Sequence, residues 1–253
     1  MSKQQWIVFT LMEFIIISLA IFFPSKGTIV LFLIVHLELL VIRKARKIHD
    51  KLFNGADWLR RTVYFIPYLL AFLLFTPDVP VTKHMPISLL FAIIVSICFL
   101  IPLIKELRPF YNQELMTLFP TITLRSASLD AYSNIASAIL QELFYKAFVI
   151  LSLLPLIGVA PALLISAFLF VAEHILHFAA QQRFRPRDFF KQFMLSLSAG
   201  LLFVYSGSVL IPILIHLTYN IPIAYTSFAR FRMSKRVKEE NQHANYNASN
   251  CKT

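Results

Sequence analysis

The chain has 253 residues, 58% of them hydrophobic, and its mean hydropathy is +0.69. These values exclude an ordinary soluble globular domain and predict a membrane protein in contact with the lipid bilayer. The net charge of +11 does not indicate nucleic-acid binding, because the basic residues lie in short loops between apolar runs, where they set membrane topology. The two cysteines, Cys98 and Cys251, suggest no disulfide.

Apolar runs of roughly 15 to 22 residues recur along the chain, which is the length that crosses a ~30 Å hydrocarbon core. We therefore expect an all-α fold, a polytopic membrane helix bundle of about eight transmembrane helices. The predicted spans are Trp6–Phe23, Thr28–Ile42, Thr62–Thr76, Ile87–Ile104, Tyr132–Leu154, Pro161–Phe178, Phe189–Tyr205 and Val209–Phe228.

The sequence between and after these spans predicts three parts. Residues 1–110 hold four transmembrane helices, residues 111–229 hold a core of four more, and residues 230–253 form a polar, basic tail that we expect to be disordered at its end. Residues 109–130 are predicted to be a loop with a short interfacial helix. In the first two spans, Glu13 and His36 fall at similar depth and are expected to pair.

The distribution of basic residues predicts which side of the membrane the termini occupy. With eight spans, 21 of the 24 Lys and Arg residues fall on the side that carries both termini, whereas only Lys26 and Lys83 lie in the opposite loops. By the positive-inside rule both termini are expected to be cytoplasmic, in a multi-pass protein of the cell membrane.

The fifth span contains two ionisable residues, Glu142 and Lys146, in an otherwise apolar run. A charged side chain near the centre of a bilayer costs at least ~2.5 to 3.5 kcal/mol, so such residues are candidates for a functional site. The alternative is a structural one: residues four apart on a helix face each other and neutralise one another's charge.

Three further polar residues are expected near Glu142 in the inner half of the membrane: His174 in the sixth span, and His216 and Asn220 in the eighth. The spacing of His216 and Asn220 places both on one helical face. A carboxylate, two imidazoles and a carboxamide are sufficient to activate water and to stabilise an oxyanion, as amide hydrolysis requires. The pattern therefore favours a hydrolytic site over isolated packing contacts.

These residues resemble the motifs of the CPBP intramembrane proteases, the CAAX protease and bacteriocin-processing or Abi family. The family pattern is Glu-Glu-x-x-x-Arg, then Phe-x-x-x-His, then His-x-x-x-Asn, and the resemblance covers roughly residues 112–228. The matching positions are Gln141, Glu142 and Lys146 for the first motif, Phe170 and His174 for the second, and His216 and Asn220 for the third.

The resemblance implies a glutamate-dependent endopeptidase, bacterial by family, that cleaves a peptide or membrane-protein substrate. It implies water activation by the first-motif glutamate and His174, and an oxyanion held by His216 and Asn220. Family names often include metalloprotease, and Glu142, His174 and His216 would be the ligands if zinc were bound. Their spacing resembles no compact metal motif, so no metal is assumed.

Two positions depart from the family pattern: Gln141 replaces the first glutamate, and Lys146 replaces arginine. A neutral amide cannot take a proton from water. Three alternatives follow: Glu142 acts with altered geometry, Glu173 compensates, or the chain is an inactive pseudoprotease that acts as a bacteriocin immunity factor or a membrane regulator. Glu173 is the weakest candidate base, because it lies about 100° around the helix from His174.

A third class of protein, a small ion-coupled transporter, also uses buried Glu, His and Lys residues. Transporters of this kind are often built from related halves. No such internal repeat is evident in the sequence. The transporter interpretation is therefore not favoured.

Overall fold

The computed structural model describes residues 3–45, 47–49, 51–78, 80–112, 120–177 and 186–250. Within these ranges every regular element is helical. The predicted class, an all-α polytopic membrane bundle, is confirmed.

The first half of the chain contains five α-helices and a short 3-10 turn. They are α1 (Lys3–Phe22), α2 (Lys26–Ala45), α3 (Ala56–Val63), α4 (Ile66–Leu74) and α5 (Met85–Leu107), with the 3-10 turn at Arg108–Tyr111. The single predicted span Thr62–Thr76 is wrong, because two short helices occupy this region. Pro67 lies in the first turn of α4, where its missing N–H and fixed φ suit the start of a new helix.

The second half contains four longer helices. They are α6 (Leu124–Ile157), α7 (Val159–His177), α8 (Pro186–Ser206) and α9 (Leu210–Asn250). Helix α6 begins at Leu124, inside the segment predicted to be a loop, while residues 113–119 of that segment lie outside the described residues. The tail was predicted to be disordered at its end, but α9 continues to Asn250. Residues 251–253 lie outside the described residues.

Five helices in the described ranges are long and apolar enough to cross a membrane. They are Lys3–Phe22, Met85–Tyr111, Leu124–Ile157, Val159–Leu176 and Arg187–Ser206. Their outward faces carry large apolar side chains such as Phe14, which is 70% exposed in the isolated chain. Exposure of this kind is expected where the solvent is lipid rather than water.

The chain forms two compact units. The first comprises residues 1–96 and 137–216, and the second comprises residues 97–136 and 217–253. These units are discontinuous in sequence, so they cut across the three predicted parts, which remain a division of the sequence.

In the first unit, α4 packs on α6 through aromatic rings. Tyr68 stacks on Phe144 with centroids 5.1 Å apart, and Phe72 and Phe75 lie edge-on to Phe148 at 5.7 and 6.3 Å. Rings in these arrangements bury large apolar areas and add a favourable quadrupole interaction. This layer fixes α6 beside the N-terminal helices.

Two hydrogen bonds in the first unit each join segments that the eight-span topology places on the same side of the membrane. The amide of Lys83, in the loop after α4, donates to the carbonyl of Ser206 at the end of α8 (2.7 Å). At the other side, the Gln5 side chain donates to the carbonyl of Ile175 near the end of α7 (3.2 Å). These contacts agree with the predicted order of crossings.

In the second unit, the 3-10 turn after α5 packs against α9. Tyr111 stacks on Tyr225 at 6.3 Å, and its hydroxyl lies 3.1 Å from that of Thr226. The guanidinium of Arg230 lies over the Phe110 ring at 5.9 Å. The polar part of α9 is thus anchored to the end of α5.

Candidate active site

The site begins where α6 changes its winding. Residues Leu143–Ile150 are π-helical, directly after Glu142. Short π-helical stretches occur frequently at functional sites, since i→i+5 bonding widens the turn and redirects the side chains. The hydroxyl of Ser166 in α7 donates to the carbonyl of Tyr145 inside this stretch (2.7 Å) and so ties the widened turn to the neighbouring helix.

Glu142 and His216 form a short polar contact within the predicted set. The Nδ1 of His216 lies 2.8 Å from Oε1 of Glu142, and the two side chains are 4% and 2% exposed. These two residues were predicted to lie near each other, and they do. The contact joins α6 to α9.

The second carboxylate oxygen of Glu142, Oε2, is buried, and no hydrogen-bond donor from the described part of the chain reaches it. The ammonium of Lys146 lies 3.9 Å away, which is too far for a hydrogen bond but close enough for a favourable charge interaction. Lys146 instead donates to the hydroxyl of Ser196 in α8 (2.6 Å). Oε2 is therefore an acceptor available to a water or substrate donor.

His174 lies near Glu142 and His216 and uses one ring nitrogen to contact its own helix. Its Nδ1 lies 2.8 Å from the carbonyl of Phe170. A carbonyl only accepts, so Nδ1 carries the proton and Nε2 of a neutral ring carries the lone pair. His174 lies within electrostatic range of Glu142 and His216, and it is less enclosed than either of them.

Phe170 lies between the charged and imidazole groups. Its ring centroid is 4.6 Å from that of His174, 5.7 Å from that of His216 and 5.5 Å from the ammonium of Lys146. The phenyl ring is fully buried. Contact with both imidazoles restricts their rotation, and the face of the ring also stabilises the lysine charge.

Gln141, next to Glu142 in α6, pairs with Glu173 of α7. Its Nε2 donates to both carboxylate oxygens of Glu173, at 3.0 and 3.1 Å. The hydroxyl of Tyr145 donates to the same carboxylate at 2.9 Å. The contact between Gln141 and Glu173 was not predicted. The 100° separation of Glu173 from His174 describes α7 alone, whereas this contact depends on the side chains of α6 that pack against it.

Glu173 also connects the site to the N-terminal helices. Glu173 and Glu38 line the same small buried cavity, of about 10 Å³, and interact electrostatically. Glu38 accepts a hydrogen bond from the hydroxyl of Tyr68 (2.7 Å). The sequence offered one signal for this second cluster, namely an acidic residue, Glu38, in an apolar span with no partner on its own helix.

The other hairpin residues behave as expected. Nε2 of His36 lies 3.1 Å from Oε2 of Glu13, so the predicted pair forms. His36 also contacts the carbonyl of Phe32 through Nδ1 (2.8 Å). Neither Glu13 nor His36 takes part in the contacts around Glu142.

Asn220 lies four residues after His216 in α9 and belongs to the second unit. Its carboxamide donates to the carbonyl of Asn134 at 2.8 Å. The side chain is 7% exposed. The role of Asn220 in holding an oxyanion stays a prediction.

The residues suggested as zinc ligands are Glu142, His174 and His216. Among the residues that the structure describes, no group of three or more His, Cys, Asp or Glu side chains is placed to hold a metal ion. The Nδ1 atoms of His174 and His216 and Oε1 of Glu142 are already engaged within the protein. These contacts use Nδ1 of each imidazole and one oxygen of Glu142, so zinc at Glu142, His174 and His216 stays a prediction.

Together these groups have the composition that acid–base chemistry requires, in helices of a membrane bundle. They include a carboxylate with one open oxygen, an imidazole with one open nitrogen and a lysine that neutralises the carboxylate. A set of this kind can remove a proton from water and return it to a leaving group.

Residues 125–222 match the family model described as type II CAAX prenyl endopeptidase Rce1-like. The match includes Glu142, His174, His216 and Asn220, and it confirms the resemblance to the CPBP proteases over this stretch. At family level it supports an intramembrane endopeptidase of the CAAX type with a peptide or protein substrate. Comparisons with curated proteins and with solved structures gave no match.

Proposed function

We propose that this protein is an intramembrane endopeptidase that hydrolyses a small peptide or a membrane-anchored protein, with Glu142 and His174 activating the attacking water. The observation that carries the proposal is the state of Glu142: one carboxylate oxygen is held by His216, and the other is buried without a hydrogen-bond donor among the described residues. Leaving a buried carboxylate oxygen unpaired is costly, so the position favours a bound water or substrate donor.

In the proposed reaction, Oε2 of Glu142 accepts a proton from water as the water oxygen forms a bond to the substrate carbonyl carbon. The peptide C–N bond then breaks as Glu142 returns this proton to the leaving nitrogen, which gives the free amine and the carboxylic acid. Nε2 of His174 carries a lone pair and acts as the second proton carrier. Lys146, 3.9 Å from Oε2, stabilises the negative charge on Glu142 before the proton is transferred.

His216 is proposed to hold the oxyanion. For this role His216 must carry a proton on Nε2. With Nδ1–H donated to Glu142, the ring is then an imidazolium stabilised by the carboxylate at 2.8 Å. A fixed donor at the oxyanion contributes roughly 3 to 4 kcal/mol to transition-state stabilisation in hydrolases.

The cellular setting is also part of the proposal. The excess of basic residues on the side of the termini supports cytoplasmic termini. The CPBP resemblance supports a bacterial plasma membrane. On this topology α6 starts at the cytoplasmic side, and Glu142 lies in the inner half of the bilayer.

Cleavage by the purified chain in liposomes tests the proposal. The substrates are internally quenched peptides that end in a CAAX sequence, with and without a farnesyl group on the cysteine. The natural chain is expected to cleave at least one of them, and Glu142→Ala and His174→Ala are expected to cleave neither. Equal cleavage by the natural chain and by both variants would exclude these residues from the reaction.

The second candidate function is that of a pseudoprotease, a binding protein on the same scaffold, for instance a bacteriocin immunity factor. The observation in its favour is Gln141, whose amide is engaged by Glu173 where the family pattern has a carboxylate. A bacterial strain whose phenotype depends on this protein separates the two functions. The pseudoprotease predicts that the phenotype survives Glu142→Ala, whereas the protease predicts that it is lost.

A further inference from the structure

The pair formed by Gln141 and Glu173 has a fixed polarity. A carboxylate can only accept hydrogen bonds, so the NH₂ end of the Gln141 amide must point at Glu173. The hydroxyl of Tyr145 adds a third donor to the same carboxylate. The pair is almost fully enclosed, with Gln141 6% and Glu173 8% exposed.

This polarity determines what Gln141 offers to the rest of the site. With Nε2 directed to Glu173, the other end of the amide, Oε1, is buried and receives no hydrogen bond from the described residues. The next residue along α6, Glu142, also has an oxygen, Oε2, that receives no hydrogen bond from the described residues. Gln141 thus presents an acceptor only, as a carboxylate would at this position, while the negative charge resides on Glu173.

We propose that Glu173 is a positioning residue for the proposed protease: it fixes the Gln141 amide so that Oε1 serves as a hydrogen-bond acceptor at the reacting centre. Glu173 and Gln141 together replace a glutamate at position 141, with the charge and the acceptor divided between two helices. The inference rests on the proposed function for its catalytic part, whereas the pairing itself does not depend on any activity.

The pairing predicts that a glutamate at position 141 destabilises this chain. In Gln141→Glu, two carboxylates would replace contacts of 3.0 and 3.1 Å in a buried site, where like charges repel strongly. Exchanging both residues reverses the pair without changing its composition. In Gln141→Glu/Glu173→Gln, the amide at 173 donates to the carboxylate at 141.

The experiment is a double-mutant cycle on the full chain in detergent, with Tm and the kcat of peptide cleavage as readouts. Gln141→Glu is expected to lower the Tm by about 5 °C or more, and the double exchange is expected to restore most of that loss. Glu13→Gln, an acid-to-amide change in the remote pair with His36, is the matched control. Combined with Gln141→Glu, it is expected to restore nothing.

The kcat of Glu173→Gln tests the positioning role of Glu173 separately from the pairing. Glu173→Gln leaves two amides that can pair in either direction, so the fixed orientation of Gln141 is lost. We expect its kcat to fall about tenfold, an effect of the size produced by losing one oriented hydrogen bond, with a smaller change in Tm than that of Gln141→Glu. The double exchange is expected to recover kcat as well as Tm.

Additive Tm effects of Gln141→Glu and Glu173→Gln would overturn the inference, whether or not the chain cleaves peptides. If Glu173→Gln had the same kcat as the natural chain, the positioning role of Glu173 would be overturned. Strong Tm coupling with no cleavage by any variant would instead reject the proposed function and leave the pair intact. The two failures are therefore distinguishable.

Discussion

Lys146 shows how one side chain can support the site without touching the reacting atoms. Its ammonium is fully buried and makes one hydrogen bond, to Ser196, while lying 3.9 Å from the Glu142 carboxylate. Burying two charges is costly, and their attraction compensates only while both are present. Loss of the lysine would leave the buried Glu142 carboxylate with His216 as its remaining partner among the described contacts.

We predict that Lys146→Met destabilises the protein by about 3 to 5 kcal/mol, the usual cost of removing one partner of a buried ion pair. Thermal unfolding in detergent measures the effect. Lys235→Met is the control, because Lys235 forms a pair with Glu239 at the same spacing but with both side chains exposed. An equal, small change in both variants would show that Lys146 does not compensate Glu142.

At the scale of residues, the sequence predicted that His216 lies near Glu142 and that Glu13 pairs with His36. Both predictions used periodicity and depth in the membrane, which place residues along and around one helix at a time. The same information could not predict that Glu173 meets Gln141. That contact depends on how α6 and α7 are rotated against each other, and on the π-helical stretch that begins at Leu143.

At the scale of elements, the turn between α8 and α9 holds the loop that follows α4. Gly207 has a φ of +66°, and a Cβ added there would lie 2.6 Å from the carbonyl oxygen of Val81. His84, at the end of the same loop, stacks on Tyr205 at 5.0 Å. The turn and the loop therefore pack with no room for a side chain between them.

We predict that Gly207→Ala destabilises the chain by more than Gly55→Ala, as judged by thermal unfolding. Both glycines have positive φ, but a Cβ at Gly55 would meet nothing within 4 Å. The control therefore carries only the conformational cost of alanine, about 1 kcal/mol, and the clash with Val81 adds to it at Gly207. Equal losses in the two variants would show that the loop moves away freely.

Helix types and most ends were predictable from hydropathy, because long apolar runs such as that of α7 have few alternative structures in a membrane. The break between α3 and α4 was not predicted. Its signal is Pro67, a residue favoured in the first turn of a helix, but the apolar run around it is continuous. The early start of α6 at Leu124 was missed because its first turns carry polar residues.

At the scale of the whole molecule, the central question is the orientation of the chain in the membrane. We predict that Asn54→Cys and Lys235→Cys lie on the cytoplasmic side and that Lys83→Cys lies on the opposite side, because basic loops stay inside. The variants are made in a background of Cys98→Ser and Cys251→Ser. An impermeant maleimide applied to intact cells measures exposure.

Labelling of the Lys83→Cys chain alone is the expected result. Labelling at Asn54→Cys without permeabilising the cells would reverse the orientation. It would also place α6 with its start on the outer side, so that Glu142 would lie in the outer half of the membrane.

The most direct test of the central claim is the kcat for cleavage of a quenched peptide by Glu142→Gln in liposomes. The amide keeps the shape of the side chain but cannot accept the proton of water, so kcat is predicted to fall at least about 100-fold. Glu13→Gln, an equivalent change in the remote pair, is predicted to stay within about twofold of the natural chain. Cleavage by Glu142→Gln at the natural rate would contradict the assignment of Glu142 as the base.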